Sequence, residues 1–111
     1  MTTLTLLVGE EYYRNRFAEH EKELGNADAY IIDDELTWFQ KDDVLRDMRW
    51  SLRMGHDTVI SAPATTKSER AHILKWVPEG TITKCIIYGY LPDRYEAPSY
   101  EEGFRMIIHN K

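Results

Sequence analysis

Two groups of charged side chains have the types and spacing needed for phosphate chemistry. Asp33 and Asp34 directly follow a short apolar run, and neighbouring carboxylates there could bind a divalent cation or act as a general base. Arg14 and Arg16 lie two residues apart near the N-terminus, and Arg94 lies near the other end. Guanidinium groups bind phosphate oxygens through paired hydrogen bonds. These five residues form the candidate ligand-binding set.

The same residues have plainer interpretations. Asp33 and Asp34 also fit an acidic strand end that is solvated in a loop, and we favour that interpretation. Arginines on the first turns of an exposed helix commonly pair with nearby glutamates, and we favour this for Arg14 and Arg16. The available partners are Glu10, Glu11 and Glu19.

Other catalytic chemistries lack support in the sequence. Cys85, the single cysteine, lies in an apolar run and is expected to be a buried, inert thiol. Ser61 has no GxSxG context and no evident triad partners. The four histidines are spread without metal-ligand spacing: His20, His56, His72 and His109. We therefore expect no metal, no cofactor and no enzymatic activity.

Composition limits the class of protein. A chain of 111 residues with 42% hydrophobic and 30% charged residues predicts a single globular α/β domain over residues 1–111. The net charge of −5 disfavours nucleic acid and anionic membranes as partners. No apolar run is long enough for a membrane span, and no leader pattern is present. The expected location is the cytoplasm.

Hydrophobic periodicity predicts the elements that must position these residues. Apolar runs closed by Gly, Pro or acidic residues indicate buried strands, and stretches with apolar residues three or four apart indicate helices. Strands are predicted over 3–9, 29–32, 57–61, 83–90 and 104–109, and helices over 10–24, 41–54 and 66–76. The predicted inner face of the first helix is Tyr13, Phe17, His20 and Leu24, and that of the second is Val44, Leu45, Met48 and Leu52. A long irregular loop is expected over 91–103.

This alternation predicts a three-layer α/β/α fold with a mainly parallel five-stranded sheet. In such sheets ligands bind beyond the carboxyl ends of the strands. The residues expected to gather there are Gly9, Asp33, Ser61 and Gly89.

Four segments resemble P-loop nucleoside and polynucleotide kinases. Residues 4–9 run directly into a helix, as the first strand of these kinases does, and Asp33-Asp34 is similar to their acidic pair, one member of which is the base for the acceptor hydroxyl. Residues 59–61 and 65–70, which end in Glu69-Arg70, resemble the third strand and its following helix. Residues 94–104 resemble the closing Arg-Phe-Glu-x-Pro and Glu-Gly-Phe stretch. The resemblance implies five parallel strands with the first strand central.

The departures from that family concern its phosphate machinery. A Walker A loop needs glycines, a lysine and a Ser or Thr hydroxyl, but the turn here reads Gly9-Glu10-Glu11-Tyr12 and no lysine occurs before Lys22. Two further parts are missing from the sequence: the metal-binding aspartate after the third strand, where Ser61 and Ala62 stand, and the arginine-bearing lid. Arg94 is then either a remnant of that lid or a structural clamp on Glu96 or a carbonyl, and both interpretations stand.

The sequence therefore predicts a non-catalytic, kinase-like pseudoenzyme that binds a protein partner. Its small size and acidic composition suggest a phage or mobile-element regulator or inhibitor of a host protein. A homodimer would cover the surface that the absent lid leaves exposed. The alternative is residual binding of a nucleotide or a polynucleotide end by the candidate ligand-binding set. The aromatic residues expected at an interface are Tyr12, Trp38, Phe39, Trp50, Tyr95 and Tyr100.

Overall fold

Five strands alternate with three α-helices along the chain. The structure, a computed structural model, describes residues 2–33, 35–89 and 95–110, and for Trp38 only the backbone. The elements are β1 Thr3–Gly9, α1 Glu11–Glu23, β2 Asp28–Ile31, α2 Trp38–Arg53, β3 Thr58–Ser61, α3 Lys67–Leu74, β4 Ile82–Tyr88, a 3₁₀ turn Tyr100–Glu102, and β5 Met106–Asn110. The predicted irregular loop is thus interrupted by a 3₁₀ turn where the structure describes it.

The strands form one parallel sheet in the order β2-β3-β1-β4-β5. The predicted α/β class, the parallel sheet and the central position of the first strand are confirmed. Strand β1 is buried because it has neighbours on both sides and helices on both faces, which explains its continuous apolar sequence.

Alternate residues of β1 supply two cores on opposite faces of the sheet. Leu7 packs with Ala18 of α1 on one face. Leu4 and Leu6 pack with Leu45 of α2 and Ile73 of α3 on the other face. Helix α1 thus forms one outer layer, and α2 and α3 form the other, which is the arrangement that right-handed crossovers produce.

The inner face predicted for α1 is wrong at three of its four positions, whereas Phe17 is half-buried and packs against the smaller core as predicted. Tyr13, His20 and Leu24 are exposed, and the buried residues of this helix are Arg14 and Ala18. The helix is rotated away from its aromatic stripe because the buried arginine makes polar contacts at the end of the sheet, described below. The inner face predicted for α2 is confirmed at its three fully buried positions: Leu45, Met48 and Leu52.

Helix α2 begins three residues earlier than predicted. Thr37 and Gln40 form a reciprocal capping box, in which the Thr37 hydroxyl accepts the Gln40 N–H at 3.2 Å and the Gln40 side chain accepts the Thr37 N–H at 2.9 Å. The helix ends at Arg53, and Gly55, two residues later, has a φ of +86° that suits a glycine. The N–H groups of Gly55 and His56 then bond back to Leu52 and Ser51, which is a Schellman motif.

One half of the α1 side of the sheet is open. Helix α1 packs against β2, β3 and β1, whereas Met106 and Ile108 of the edge strand β5 are 45% and 41% exposed. They are register partners of Lys84 and Ile86 on β4. Among the described helices, none is long and apolar enough to cross a bilayer.

Candidate functional site

The turn after β1 consists of a single residue, Glu10, between Gly9 and the first residue of α1. The Glu10 N–H donates to the carbonyl of Tyr88 at the end of β4, at 3.0 Å. Gly9 has φ of +100°, and a Cβ there would lie 2.1 Å from the Tyr88 carbonyl oxygen. This turn is closed against β4 and is too short to form the loop of amides that wraps a phosphate.

Arg14 fills the space between the ends of β1 and β3. Its side chain is 1% exposed, and its guanidinium donates to the carbonyl of Gly9 through Nε at 3.2 Å and to Ser61 Oγ through Nη1 at 3.1 Å. Ser61 in turn donates to Asn15 Oδ1. The interpretation of Arg14 as a surface arginine paired with a glutamate is therefore wrong. Its side chain is buried, and its hydrogen bonds connect α1 to the ends of β1 and β3.

The electrostatics of this corner oppose a phosphate despite the arginine. The Glu10 side chain lies over Gly89, where an added Cβ would approach the Glu10 carboxylate carbon to 2.5 Å. A phosphate charge 4 Å from a carboxylate is repelled by about 4 kcal/mol at an effective dielectric constant of about 20. The guanidinium, meanwhile, is already oriented towards acceptors within the chain.

A second buried arginine, Arg70 of α3, lies on the other face of the sheet. It makes a two-bond ion pair with Glu102, with distances of 2.7 and 3.2 Å, and donates to the carbonyl of Ala64 at 3.1 Å. The ring of Tyr95 lies 5.8 Å from the guanidinium carbon. This ion pair joins α3 to the segment before β5, two of the segments on which the kinase resemblance rests.

Glu102 is ionised in this arrangement. Burial alone would raise the pKa of its carboxyl group, but hydrogen bonds from Arg70 and from the Ser99 N–H outweigh burial and hold the pKa below its ordinary value. Burial raises the pKa of the Tyr95 hydroxyl and raises that of the Cys85 thiol to about 12. Cys85 is thus the buried thiol that the sequence predicts.

A small cavity beside the ends of β2 and β3 has about 10 Å³ of free space, which is about the room that one water molecule needs. Ile32, Ala62 and Leu45 form its apolar walls, and Lys41 and Glu69 lie at its margin. It is far too small for a nucleoside or a nucleotide, whose pockets measure about 300–1,000 Å³.

The candidate ligand-binding set does not assemble in the described part of the chain. Arg16 is exposed on α1, where it donates to the Tyr12 hydroxyl at 3.0 Å. Asp33 is exposed in the turn after β2, and β3 separates β2 from β1, which places the two strands about 10 Å apart. Asp34 and Arg94 lie outside the described residues. Within the described ranges, no three His, Cys, Asp or Glu residues cluster as metal ligands would.

Four of the predicted interface aromatics are exposed. The exposed fractions are 62% for Tyr12, 82% for Phe39, 65% for Trp50 and 64% for Tyr100. The prediction of Tyr95 as an exposed interface residue is wrong, because this side chain is half-buried and packs against the main core and Arg70. The side chain of Trp38 lies outside the description.

A groove on the outer side of α2 was not predicted. Its volume is about 300 Å³, and we call it the Arg–Trp groove; its lining residues are Arg46, Asp47, Arg49, Trp50, Arg53 and Trp76. The signal in the sequence was the recurrence of arginines three and four residues apart around Trp50, which places them on one side of a helix. Neither a scan against protein-family models nor a search of curated proteins found a match for this chain.

Proposed function

We propose that this protein is a non-catalytic module that binds another protein. The observation that carries the proposal is the buried guanidinium of Arg14 at the ends of β1 and β3. In a parallel sheet a ligand would enter at that position, and the chain occupies it with its own side chain.

The surface supports a role in protein contacts. Phe39 and Trp50 are both highly exposed on α2, and they lie 11 residues, or about 16 Å, apart on nearly the same side of the helix. Large exposed aromatic side chains are the usual anchors of protein–protein interfaces. The closed strand ends and the aromatic outer surface together favour binding over catalysis.

A second copy of the chain is the proposed partner for the open half of the sheet. Met106 and Ile108 present an apolar strip on the edge strand, and a two-fold contact would bury the strip of both copies at once. Size-exclusion chromatography with light scattering tests this proposal. We expect the wild-type protein to be a dimer at micromolar concentration and the Ile108→Lys variant to be a monomer. A wild-type protein that remains a monomer at high concentration would contradict the proposed dimer.

The proposed function is tested against residual nucleotide binding by thermal-shift measurements with MgATP, MgGTP and short oligonucleotides. A ligand at 100 times its Kd would stabilise the fold by about 2.7 kcal/mol, which raises the Tm by several degrees in a domain of this size. We expect no shift. A shift that Asp33→Asn abolishes would replace the proposal with nucleotide binding.

Protein binding itself is tested by capturing a partner from extract and then reconstituting the complex from purified components. We expect a stoichiometric complex by light scattering. If no protein forms such a complex, with another protein or with a second copy, the proposal is wrong.

A further inference from the structure

The outer side of α2 carries one continuous polar and aromatic stripe. Arg46, Arg49, Trp50 and Arg53 follow at spacings of three and four residues, which aligns their side chains along the helix. The opposite side of α2 supplies the main core. The stripe therefore lies away from the core, with Arg46 and Arg53 exposed and Arg49 half-buried at its edge.

The Arg–Trp groove has an apolar side as well as a charged one. Trp76, half-buried after α3, packs against the main core and lines the groove opposite the stripe, whereas Trp50 is 65% exposed. Arg49 Nε is shielded from solvent and has no hydrogen-bond partner among the described residues. A shielded donor without an acceptor is costly, so the fold leaves this guanidinium short of hydrogen bonds.

We propose that the Arg–Trp groove binds a short acidic segment of the partner protein, one that carries at least one carboxylate beside an apolar or aromatic side chain. This inference rests on the proposed function and specifies the chemistry of the partner. Carboxylates bind the Arg49 and Arg53 guanidinium groups, and the apolar side chain packs between Trp50 and Trp76.

Charge complementarity decides for an acidic segment. Three arginines and one aspartate give the lining a net charge of +2, on a chain whose overall charge is −5. The groove is thus a local positive site on an acidic protein. A segment with two or three carboxylates matches that charge and steers association through it.

The dimensions of the groove disfavour a nucleic acid strand. The stripe from Arg46 to Arg53 extends only about 10 Å along the helix axis, whereas single strands occupy about four or more nucleotides of continuous positive surface. Asp47 lies within the lining, and Asp43 lies 3.3 Å from Arg46. A longer polyanion would leave the arginines and meet these carboxylates.

The test is selection of short random peptides on the full protein by display, followed by affinity measurements on the purified peptides. We expect the selected peptides to be enriched in Asp and Glu next to aromatic or branched apolar residues. Their affinity should fall about tenfold, equivalent to about 1.4 kcal/mol, in an Arg49→Gln/Arg53→Gln variant. Arg105→Gln, an exposed arginine outside the groove, is the matched control and should bind as the wild type does.

Three results would overturn the inference: selected peptides without acidic residues, acidic peptides that bind the double variant and the wild type equally, or oligothymidylate that binds at the groove more tightly than the peptides. These results leave the proposed function standing if the wild-type protein still forms the reconstituted complex. A wild-type protein that forms no such complex but binds a nucleotide would instead overturn the proposed function.

Discussion

The ends of the strands and the outer side of α2 both contain arginines, but the two regions use them differently. At the strand ends, Arg14 is buried and donates to a carbonyl and a hydroxyl group of the same chain, and the buried Arg70 on the other face of the sheet donates in the same way to Glu102. On α2, Arg53 is exposed beside Trp50, and the exposed Arg46 makes a solvent-accessible ion pair with Asp43 on its own helix. Residue type alone therefore does not locate a binding site, because arginine side chains stabilise the fold in one region and are exposed to a partner in the other.

The buried arginines also connect elements that are distant in the sequence. Arg14 and Ser61 connect α1 to β3, and Arg70 and Glu102 connect α3 to the segment before β5. The Arg14 contacts lie at the carboxyl ends of β1 and β3, where a ligand would otherwise stand. Stabilising the strand ends and leaving them open for a ligand are mutually exclusive here.

The largest expected effect comes from Glu102→Ala. Removing the carboxylate leaves the Arg70 guanidinium buried and without its ion pair, and breaking a buried pair in this way costs about 3–5 kcal/mol. Urea unfolding monitored by circular dichroism measures the loss. Glu101→Ala, at the exposed neighbouring position, should change the free energy of unfolding by less than about 0.5 kcal/mol. Equal effects of the two substitutions would contradict a structural role for the pair.

Arg14→Met should have the next largest effect on stability. The methionine keeps an apolar stem but removes the donors to the Gly9 carbonyl and to Ser61 Oγ, and each buried acceptor left unpaired costs about 1–3 kcal/mol. Arg16→Met on the exposed side of the same helix is the control, with an expected change below about 0.5 kcal/mol. If Arg14→Met is as stable as Arg16→Met, Arg14 does not hold the strand ends together.

Acid should lower the free energy of unfolding by weakening the Arg70–Glu102 ion pair. Because its folded pKa lies below the ordinary value, near 4.3 for an unfolded glutamate, its stabilising contribution is complete above about pH 4.3 and is lost as the pH falls through the folded pKa. Unfolding free energies measured from neutral to acidic pH for wild type and Glu102→Gln should therefore converge as the pH falls. A constant difference across that range would show that the carboxylate ionisation does not contribute.

The smallest expected effect on stability is that of Trp50→Ala. Its side chain is mostly in solvent, and alanine is a strong helix former, so the free energy of unfolding should change by less than about 0.5 kcal/mol. Thermal and urea unfolding measure this, and binding of the selected acidic peptides should fall in the same variant. A large loss of stability would assign Trp50 to the fold instead of the groove.

The sequence predicts the order of the elements well, because that order depends on local patterns. The apolar run of β1 and the 3.6-residue period of α2 both appear in the structure. The helix predicted from residue 66 is present as α3, capped by the Thr66 hydroxyl, which accepts the Glu69 N–H at 3.1 Å. Helix α2 begins at Trp38 and not at Lys41 because Thr37 and Gln40 form a capping box, which the apolar period from Val44 to Leu52 does not reveal.

The contacts of the two buried arginines, Arg14 and Arg70, could not be predicted from spacing. The aromatic period of α1 suggested Tyr13 and Leu24 as inner residues, but a buried arginine with hydrogen-bond partners on two strands outweighed that weak pattern. The Arg70–Glu102 pair joins residues 32 positions apart, and only the crossing of β4 and the return to β5 brings them together. Long-range polar pairs of this kind leave no periodic signal in a single sequence.

The most direct test of the central claim is a proton–nitrogen NMR titration of the protein with MgATP to millimolar concentration. The account predicts no saturable shift of the backbone amides from Gly9 to Arg14 or of the Arg14 Nε–H signal, because that corner is closed by the chain itself. Saturable shifts confined to these signals, with micromolar affinity, would show that the strand ends still bind a phosphate and would contradict the account.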